Sequence, residues 1–355
     1  MSRFLNPAHA TLKAYVPGEQ PQNREYIKLN TNESPYSPAP QVIATIEAGQ
    51  AAHLNLYPDP EAKGLMQKLA AFYGLKPENV MPGNGSDEIL SILFMAFVDR
   101  VRGVAFPSIS YGFYEVYADL FGVPALKVPL KPDFSIAPAD YFGLDRTIVI
   151  ANPNAPTGIA LSRTQIENIL RANPDSVVAV DEAYVDFGGE SCVPLIPQYE
   201  NLLVIHTYSK SRSLAGARLG YCLGNAALIE DMNRIRYSLN PYNINRLTLA
   251  AGAAAIDADD YYAARHTQIM ETRAFTKAAL ERRGFTATDS RANFLFVKSD
   301  RISGADYYET LKSMGILIRH FSKPEIADWN RITIGAPDEM QSLIRATDEI
   351  LGGDK

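Results

Sequence analysis

A lysine in an unusual setting is the first candidate for chemistry in this chain of 355 residues. Lys210 stands beside the hydroxyl residues Thr207 and Ser209, shortly after the apolar run 202–205. Lysine ammonium groups normally stay in water, whereas that run predicts a buried strand. A lysine held partly out of water has a lowered pKa and becomes a usable amine nucleophile. The chemistry that most needs such an amine is Schiff-base formation with a carbonyl, above all that of pyridoxal phosphate.

Residues elsewhere in the chain match the other parts of pyridoxal phosphate. Asp181 follows the apolar run 177–180 and is suited to pair with the pyridine nitrogen. Tyr184, three residues on, is suited to hydrogen-bond the phenolic oxygen of the ring, and Tyr111 offers an aromatic face for stacking. Each alone has an ordinary explanation, as a solvated turn lysine, a helix cap or a core tyrosine. Their joint occurrence favours a cofactor site with Lys210, Asp181 and Tyr184 as the catalytic residues.

A glycine-rich turn supplies candidates for binding the phosphate of the cofactor. Gly85, Ser86 and Asp87 come just before the apolar run 89–98, a pattern that predicts a helix start with free N–H groups. Such a start is a ready anion site, although an ordinary capped helix has the same pattern. The remaining candidates for the phosphate surround the lysine: Thr207, Ser209 and Arg218.

The order of apolar runs indicates how these residues are positioned. Between residues 101 and 205, runs that are apolar throughout alternate with helical patterns, which predicts an α/β fold with a mostly parallel sheet covered on both faces. Ligands bind beyond the carboxyl ends of such strands, where the segments after 151, 180 and 205 meet. The run 215–221 predicts a return strand, and 247–282 predicts one helical span. We expect an N-terminal arm (1–40) that joins the small domain, a large domain (41–249) and a small α+β domain (250–355).

Composition excludes several classes of function. The net charge of -6 and the pI near 5.5 provide no basic field for nucleic acid or an anionic membrane. Cys192 and Cys222 have no spacing typical of a zinc site or a disulfide framework, and the histidines form no metal-ligand motif. No apolar run approaches the length of a membrane span. We expect a cytoplasmic protein without a metal, a nucleic-acid partner or a membrane partner.

Together these motifs resemble those of the fold-type I, pyridoxal-phosphate-dependent aminotransferases. The motifs span nearly the whole chain: Tyr15-Val16-Pro17-Gly18, Leu29-Asn30-Thr31-Asn32-Glu33-Ser34-Pro35-Tyr36, Tyr57-Pro58-Asp59-Pro60, Gly83-Asn84-Gly85-Ser86-Asp87-Glu88, Asp181-Glu182-Ala183-Tyr184, Ser209-Lys210 with Arg218, and Arg331-Ile332-Thr333-Ile334-Gly335. The resemblance implies a large domain with a seven-stranded sheet, pyridoxal 5'-phosphate as cofactor, and amino-group transfer. It also implies L-histidinol phosphate and 2-oxoglutarate as substrates, a step of histidine biosynthesis.

The resemblance assigns further residues to the substrate and to a partner subunit. Arg331 matches the arginine that binds the substrate carboxylate as a bidentate pair. Tyr15 and Arg319 match positions near the side-chain phosphate of the substrate, and Asn32 is a further candidate for binding the substrate. Tyr57 matches a tyrosine that reaches the cofactor phosphate of the neighbouring subunit, which implies a homodimer.

One departure and several alternatives remain open. The family usually has Asn-Asn-Pro-Thr-Gly where this chain has Asn154-Ala155-Pro156-Thr157-Gly158, and its second asparagine, replaced here by Ala155, contacts the phenolic oxygen. Either Asn154 takes over that role or Tyr184 serves alone. An aromatic amino-acid aminotransferase or a threonine-phosphate decarboxylase would share Lys210, Asp181 and Tyr184. A cofactor-sensing module of a transcription regulator would need an attached DNA-binding domain, for which this chain has no spare length or basic helix.

Overall fold

The computed structural model describes residues 4–47 and 50–352. The strands are β1 Ile27–Lys28, β2 Val80–Gly83, β3 Val104–Pro107, β4 Ala125–Val128, β5 Thr147–Ala151, β6 Val178–Asp181, β7 Leu202–Thr207, β8 Gly220–Gly224, β9 Phe285–Ala287, β10 Phe294–Ser299, β11 Ile316–Leu317, β12 Arg319–His320 and β13 Asn330–Thr333. The α-helices are α1 Pro40–Glu47, α2 Lys63–Tyr73, α3 Gly85–Phe97, α4 Phe113–Phe121, α5 Arg163–Ala172, α6 Ala226–Leu239, α7 Arg246–Asp257, α8 Asp259–Glu281, α9 Gly304–Ser313 and α10 Pro337–Ile350.

The large sheet has seven strands in the order β2-β8-β7-β6-β5-β3-β4, and only β8 runs antiparallel to its neighbours. The predicted α/β fold with a mostly parallel sheet is therefore confirmed. Successive residues of its strands alternate between two apolar cores: Val178 and Val180 of β6 face one side, and Ala179 faces the other. Burial on both faces explains why the sequence shows continuous apolar runs instead of alternation.

Two segments of the large sheet differ from the sequence prediction. Strand β2 is not apparent from the sequence because it contains Pro82. The proline is tolerated because β2 lies at the sheet edge and pairs only with β8. The return strand begins at Gly220, later than expected, since Ala215–Ala217 form a 3-10 turn. This turn places Arg218, with φ 54, between the lysine segment and β8.

The small sheet is antiparallel, in the order β12-β13-β10-β9, and shares an apolar core with α8, α9 and α10. The N-terminal arm meets this unit, because β1 pairs in parallel with β11 and Leu29 is buried in the same core. The span 247–282 is two helices, with a break at Ala258. Two aspartates open α8, where their charges suit the helix dipole.

The boundary expected near residue 250 falls inside α7. This helix packs against α1 and α2, and Ala251 and Ala255 belong to the same core as Leu65 and Leu69 of α2. The change from the large-domain core to the small-domain core occurs along α8, because Tyr262 belongs to the first and Ile269 to the second. In the described part of the chain, no helix combines the length and apolar character that crossing a membrane requires.

Candidate active site

A cavity of about 640 Å³ lies at the carboxyl ends of the large sheet, where the arm and the small domain meet that edge. Ala151, Asp181 and Thr207, which end three neighbouring strands, all line it. This is the place predicted for a ligand in a mostly parallel sheet. The cavity brings together most of the residues singled out in the sequence: Tyr15, Asn32, Ser86, Asp87, Tyr111, Asp181, Tyr184, Thr207, Ser209, Lys210, Arg218, Arg319 and Arg331.

Lys210 follows β7 and extends its side chain into the cavity. Its Nζ donates a hydrogen bond to the carbonyl oxygen of Thr31 in the arm, at 2.9 Å. Burial, and then the positive charge of Arg331, lower the pKa of Lys210 to about 8. A larger share of this side chain is therefore the free amine near neutral pH than for an exposed lysine. The local setting inferred from the sequence is present, and Thr31 is a contact that the sequence did not indicate.

Asp181 ends β6 and is buried, and burial raises its pKa to about 6. Two donors hold the carboxylate. The hydroxyl of Tyr114 donates to Oδ2 at 2.7 Å, and the N–H of Ala183 donates to Oδ1 at 3.2 Å. Tyr114 was not among the predicted site residues. The available signal was its position three residues after Tyr111, at the start of a helix, which places the two side chains on one face.

Tyr184 is connected to the arm through a buried amide. The Asn32 Nδ2 donates to the Tyr184 hydroxyl oxygen at 3.0 Å. Asn32 has φ 57, a left-handed conformation that asparagine tolerates, and its Oδ1 accepts from the Thr333 hydroxyl at 3.0 Å. Burial raises the pKa of Tyr184, so the phenol stays protonated at neutral pH. Asn32 thus joins the large domain to the small one beside the cavity.

The start of α3 forms an anion cradle with Arg218. Gly85 has φ 80, and a Cβ there would lie 2.6 Å from the Arg218 Nη2, so the guanidinium occupies the space that a side chain would fill. Arg218 Nη2 lies 3.3 Å from Asp87 Oδ2, and Nη1 lies 3.5 Å from Ser209 Oγ. The helix N–H groups, a hydroxyl and a guanidinium are the donor set that a phosphate needs. The residues present therefore fit the phosphate of the expected cofactor.

Two arginines of the small sheet face the opposite part of the cavity. Arg319 and Arg331 are paired across β12 and β13. The Arg331 Nη2 donates to the Asn30 carbonyl oxygen at 2.9 Å, whereas its buried Nε has no partner among the described residues. Arg319 donates to the carbonyl oxygens of Val16 and Pro17, each at 3.3 Å. A buried guanidinium with an unused donor is suited to bind an anionic ligand.

Three predicted residues do not line this cavity: Gly85, Asn154 and Tyr57. The Asn154 Nδ2 donates to the Ile109 carbonyl oxygen at 3.0 Å and its Oδ1 accepts from Ser110, whereas the neighbouring Ala155 lines the cavity. Its amide connects two loops, a role that the linear motif does not distinguish from ligand binding. Tyr57 lies elsewhere, with 76% of the residue exposed and its ring stacked on Tyr242 at 4.4 Å between centroids.

A family model described as aminotransferase class I and II matches residues 24–346. The chain belongs to this aminotransferase family. The family includes the fold-type I enzymes that the sequence motifs resemble, so the expected fold and the expected pyridoxal phosphate chemistry are those of the family. The cavity of this aminotransferase holds Lys210, Asp181 and the anion cradle in one place.

Named relatives cover nearly the full length of this aminotransferase. A histidinol-phosphate aminotransferase of Brachyspira hyodysenteriae is 45% identical over 97% of this chain and 98% of its own. One from a Marinomonas species is 48% identical over 98% of this chain and 99% of its own. A solved structure titled as histidinol-phosphate aminotransferase from Sinorhizobium meliloti in complex with pyridoxal-5'-phosphate superposes with a TM-score of 0.88 at 24% identity, covering 99% of this chain and 98% of that one. At that identity the structure supports the fold alone.

Proposed function

We propose that this aminotransferase transfers an amino group between L-histidinol phosphate and 2-oxoglutarate. The observation that carries the proposal is the pair of arginines, Arg319 and Arg331, facing the same cavity as the amine of Lys210. Both substrates are anions, one through a phosphate and the other through carboxylates, and guanidinium groups bind either anion in a bidentate manner. The relatives named for histidinol phosphate support this choice among aminotransferase substrates.

Each residue of the cavity has a proposed part in the reaction. Pyridoxal phosphate, when bound, supplies a carbonyl that combines with amines and a ring that stabilises negative charge at the substrate Cα. Lys210 would hold the cofactor between turnovers, and its amine would serve as the base that takes the proton from the substrate Cα. Asp181 pairs with the ring nitrogen, Tyr184 donates to the phenolic oxygen, and Tyr111 packs on the ring. The phosphate is held by Gly85, Ser86, Asp87, Thr207, Ser209 and Arg218.

A homodimer is part of the proposal. Leu54, Leu56 and Tyr57 are 56%, 58% and 76% exposed, and Tyr57 stacks on Tyr242, which is itself 41% exposed. Exposed apolar residues grouped in this way are typical of an interface. We propose that a second copy covers them and receives Tyr57 at its cofactor phosphate. Sedimentation should show a dimer for the wild type, and Tyr57→Ala should weaken both dimer formation and cofactor binding; a wild-type monomer with full activity would contradict this.

The division into an arm (1–40), a large domain (41–249) and a small domain (250–355), and the cytoplasmic location, also stay proposals. The β1–β11 pair supports joining the arm to the small domain, and the free thiols of Cys192 and Cys222 suit a reducing compartment. Cell fractionation of the tagged protein tests the location, and a membrane or secreted fraction would contradict it.

An absorbance titration tests the proposed function. The purified protein with pyridoxal phosphate is titrated with L-histidinol phosphate and, separately, with phenylalanine, tyrosine and threonine phosphate. We expect a visible band from the lysine-bound cofactor, and we expect histidinol phosphate to bleach it at the lowest concentration. Bleaching by the aromatic amino acids alone would identify an aromatic amino acid, and not histidinol phosphate, as the substrate. Release of carbon dioxide from threonine phosphate would indicate a decarboxylase. Absence of any band with added cofactor would overturn the assignment of Lys210.

A further inference from the structure

Three tyrosines in α4 and just before it form hydrogen bonds to two acidic residues of the cavity. Tyr111 lies just before the helix, and Tyr114 and Tyr117 lie within it, three residues apart. The Tyr111 hydroxyl donates to Asp87 Oδ1 at 2.8 Å, and the Tyr117 hydroxyl donates to the Asp87 carbonyl oxygen at 2.7 Å. The middle tyrosine, Tyr114, donates to Asp181 instead, at 2.7 Å. The first and third tyrosines therefore contact α3, and the middle one alone contacts β6.

Tyr114 has no exposure to solvent and a fixed position. Its ring packs against Phe106 with centroids 5.9 Å apart, and it meets Tyr111 edge to face at 5.7 Å. Burial and the nearby charge of Asp181 raise the pKa of Tyr114 well above its usual value, so this phenol remains a donor at all working pH values. Within the described residues its hydroxyl makes one hydrogen bond, and a buried hydroxyl aimed at one carboxylate oxygen determines the orientation of that carboxylate.

We propose that Tyr114 is a positioning residue for the cofactor: its hydroxyl keeps Asp181 ionised and orients it for pairing with the pyridine nitrogen. The inference rests on the proposed role of Asp181. Tyr114 binds one oxygen and Ala183 binds the other, so each oxygen keeps a lone pair for the ring N–H. The Tyr114 ring also contacts Tyr111, which lines the cavity and is proposed to stack on the cofactor ring. The Tyr114 side chain therefore contacts both the proposed stacking residue and Asp181, the residue proposed to pair with the ring nitrogen.

The charges around Asp181 determine the expected pH dependence. Burial raises the pKa of Asp181 to about 6, and Asp87 on α3 acts in the same direction. The hydrogen bonds from Tyr114 and Ala183 lower this pKa, as does His206 on β7. Removal of the Tyr114 hydroxyl should therefore raise the pKa of Asp181, so that more of the cofactor-free protein carries a neutral Asp181 below pH 7. A neutral carboxyl cannot pair with a protonated ring nitrogen, so cofactor affinity should fall most at low pH.

The test is the dissociation constant of pyridoxal phosphate for Tyr114→Phe and for wild type, measured between pH 6 and pH 8 without any amine substrate. For a pKa increase of about one unit, the ratio of variant to wild-type constants should be about fivefold at pH 6 and close to 1 at pH 8. The control is Tyr307→Phe, which removes a buried hydroxyl bonded to Thr347 in the small domain and should leave the ratio near 1 throughout. An equal loss at every pH, no loss at all, or failure of Tyr114→Phe alone to fold would assign Tyr114 a purely structural role and overturn the proposal.

A double-mutant cycle separates this proposal from the one on which it rests. In Asp181→Asn the side chain is neutral at every pH, so adding Tyr114→Phe should no longer produce a pH-dependent loss. A nitrogen NMR signal of ring-labelled cofactor gives a second readout, since Tyr114→Phe should shift it toward the unprotonated form at pH 6. If Asp181→Asn itself binds the cofactor like wild type, the assigned role of Asp181 fails. Because no amine substrate is present, a different substrate would leave the Tyr114 result unchanged.

Discussion

The two sides of the cavity are built in different ways. The side formed by the large domain, here called the floor, consists of residues at or shortly after a strand end or at a helix start, such as Asp181, Lys210 and Ser86. The side formed by the arm and the small domain, here called the wall, is held together by contacts between distant parts of the chain. Asn32 N–H donates to the Thr333 hydroxyl, and Arg331 donates to the Asn30 carbonyl oxygen, both across 301 positions of sequence.

This difference separates two tasks. The floor carries the amine, the buried carboxylate and the anion cradle, which are the groups proposed to bind the cofactor. The amine and the carboxylate lie at or just after strand ends, and the cradle joins the start of α3 to Arg218. The wall carries Arg319 and Arg331, and its geometry depends on how the arm and the small sheet pack together. Substitutions in the floor should therefore affect cofactor chemistry with every substrate, whereas those in the wall should affect the choice and binding of substrate.

The largest expected effect is on the floor, in Lys210→Ala. Without an amine at this position, the substrate Cα proton has no positioned base, and we expect kcat to fall by about 10²- to 10⁴-fold with every amino donor. The measurement is steady-state transamination with two different donors. Because the phosphate cradle is intact, the variant should still bind pyridoxal phosphate noncovalently.

A lysine away from the site is the matched control. Lys63 is exposed at the start of α2 and pairs with Glu61, so Lys63→Ala should retain wild-type activity. A fully active Lys210→Ala would end the assignment of the floor, and a loss confined to one donor would contradict the separation between floor and wall.

The sequence predicted the floor better than the wall for a physical reason. Lys210 and Asp181 follow apolar runs, so their place at the sheet edge depends only on the strand rule for parallel sheets. Asn154 lies in such a segment as well, but whether its amide faces a ligand or a neighbouring loop depends on Ile109 and Ser110, which are far away in sequence. Tyr114 was missed because a tyrosine in an amphipathic helix is typical of ordinary core packing.

The predicted boundaries of some helices and strands were wrong for a related reason. The sequence of the two helices joined at Ala258 shows one continuous helical pattern, so it does not reveal the break. The break arises because α7 packs on α2 while α8 leads into the small domain. Strand β2 contains a proline that only its edge position allows. In each case a contact between distant segments decided the outcome, and the residue types nearby were compatible with either structure.

An intermediate effect is expected in the wall, from Arg331→Lys. The lysine keeps the positive charge but loses the bidentate geometry and the Nε donor that has no protein partner. We expect kcat/KM to fall by about 10²-fold for anionic substrates, from the loss of charge-assisted hydrogen bonds, with cofactor affinity unchanged. Arg319→Lys is the comparison, because that guanidinium already donates to two carbonyl oxygens of the arm and should cost less. An equal fall in cofactor affinity in Arg331→Lys would show that the wall also serves the cofactor.

The smallest effect sharpens the account of the floor by comparing two glycines. Gly85 and Gly74 both have left-handed φ, 80 and 65, so alanine at either should destabilise the fold by about 1 kcal/mol. A Cβ at Gly74 meets nothing within 4 Å, whereas one at Gly85 would lie 2.6 Å from Arg218 Nη2 and displace the guanidinium.

Gly85→Ala alone should therefore weaken pyridoxal phosphate binding, by about tenfold for the loss of one charge-assisted hydrogen bond, while both variants unfold at similarly lowered temperatures. The measurements are a cofactor titration and a thermal melt of each variant without cofactor. Equal cofactor affinities would mean that Arg218 does not bind the phosphate. A selective loss would mean that the cradle depends on the absence of a methyl group at Gly85, because that absence leaves the space that the Arg218 guanidinium occupies.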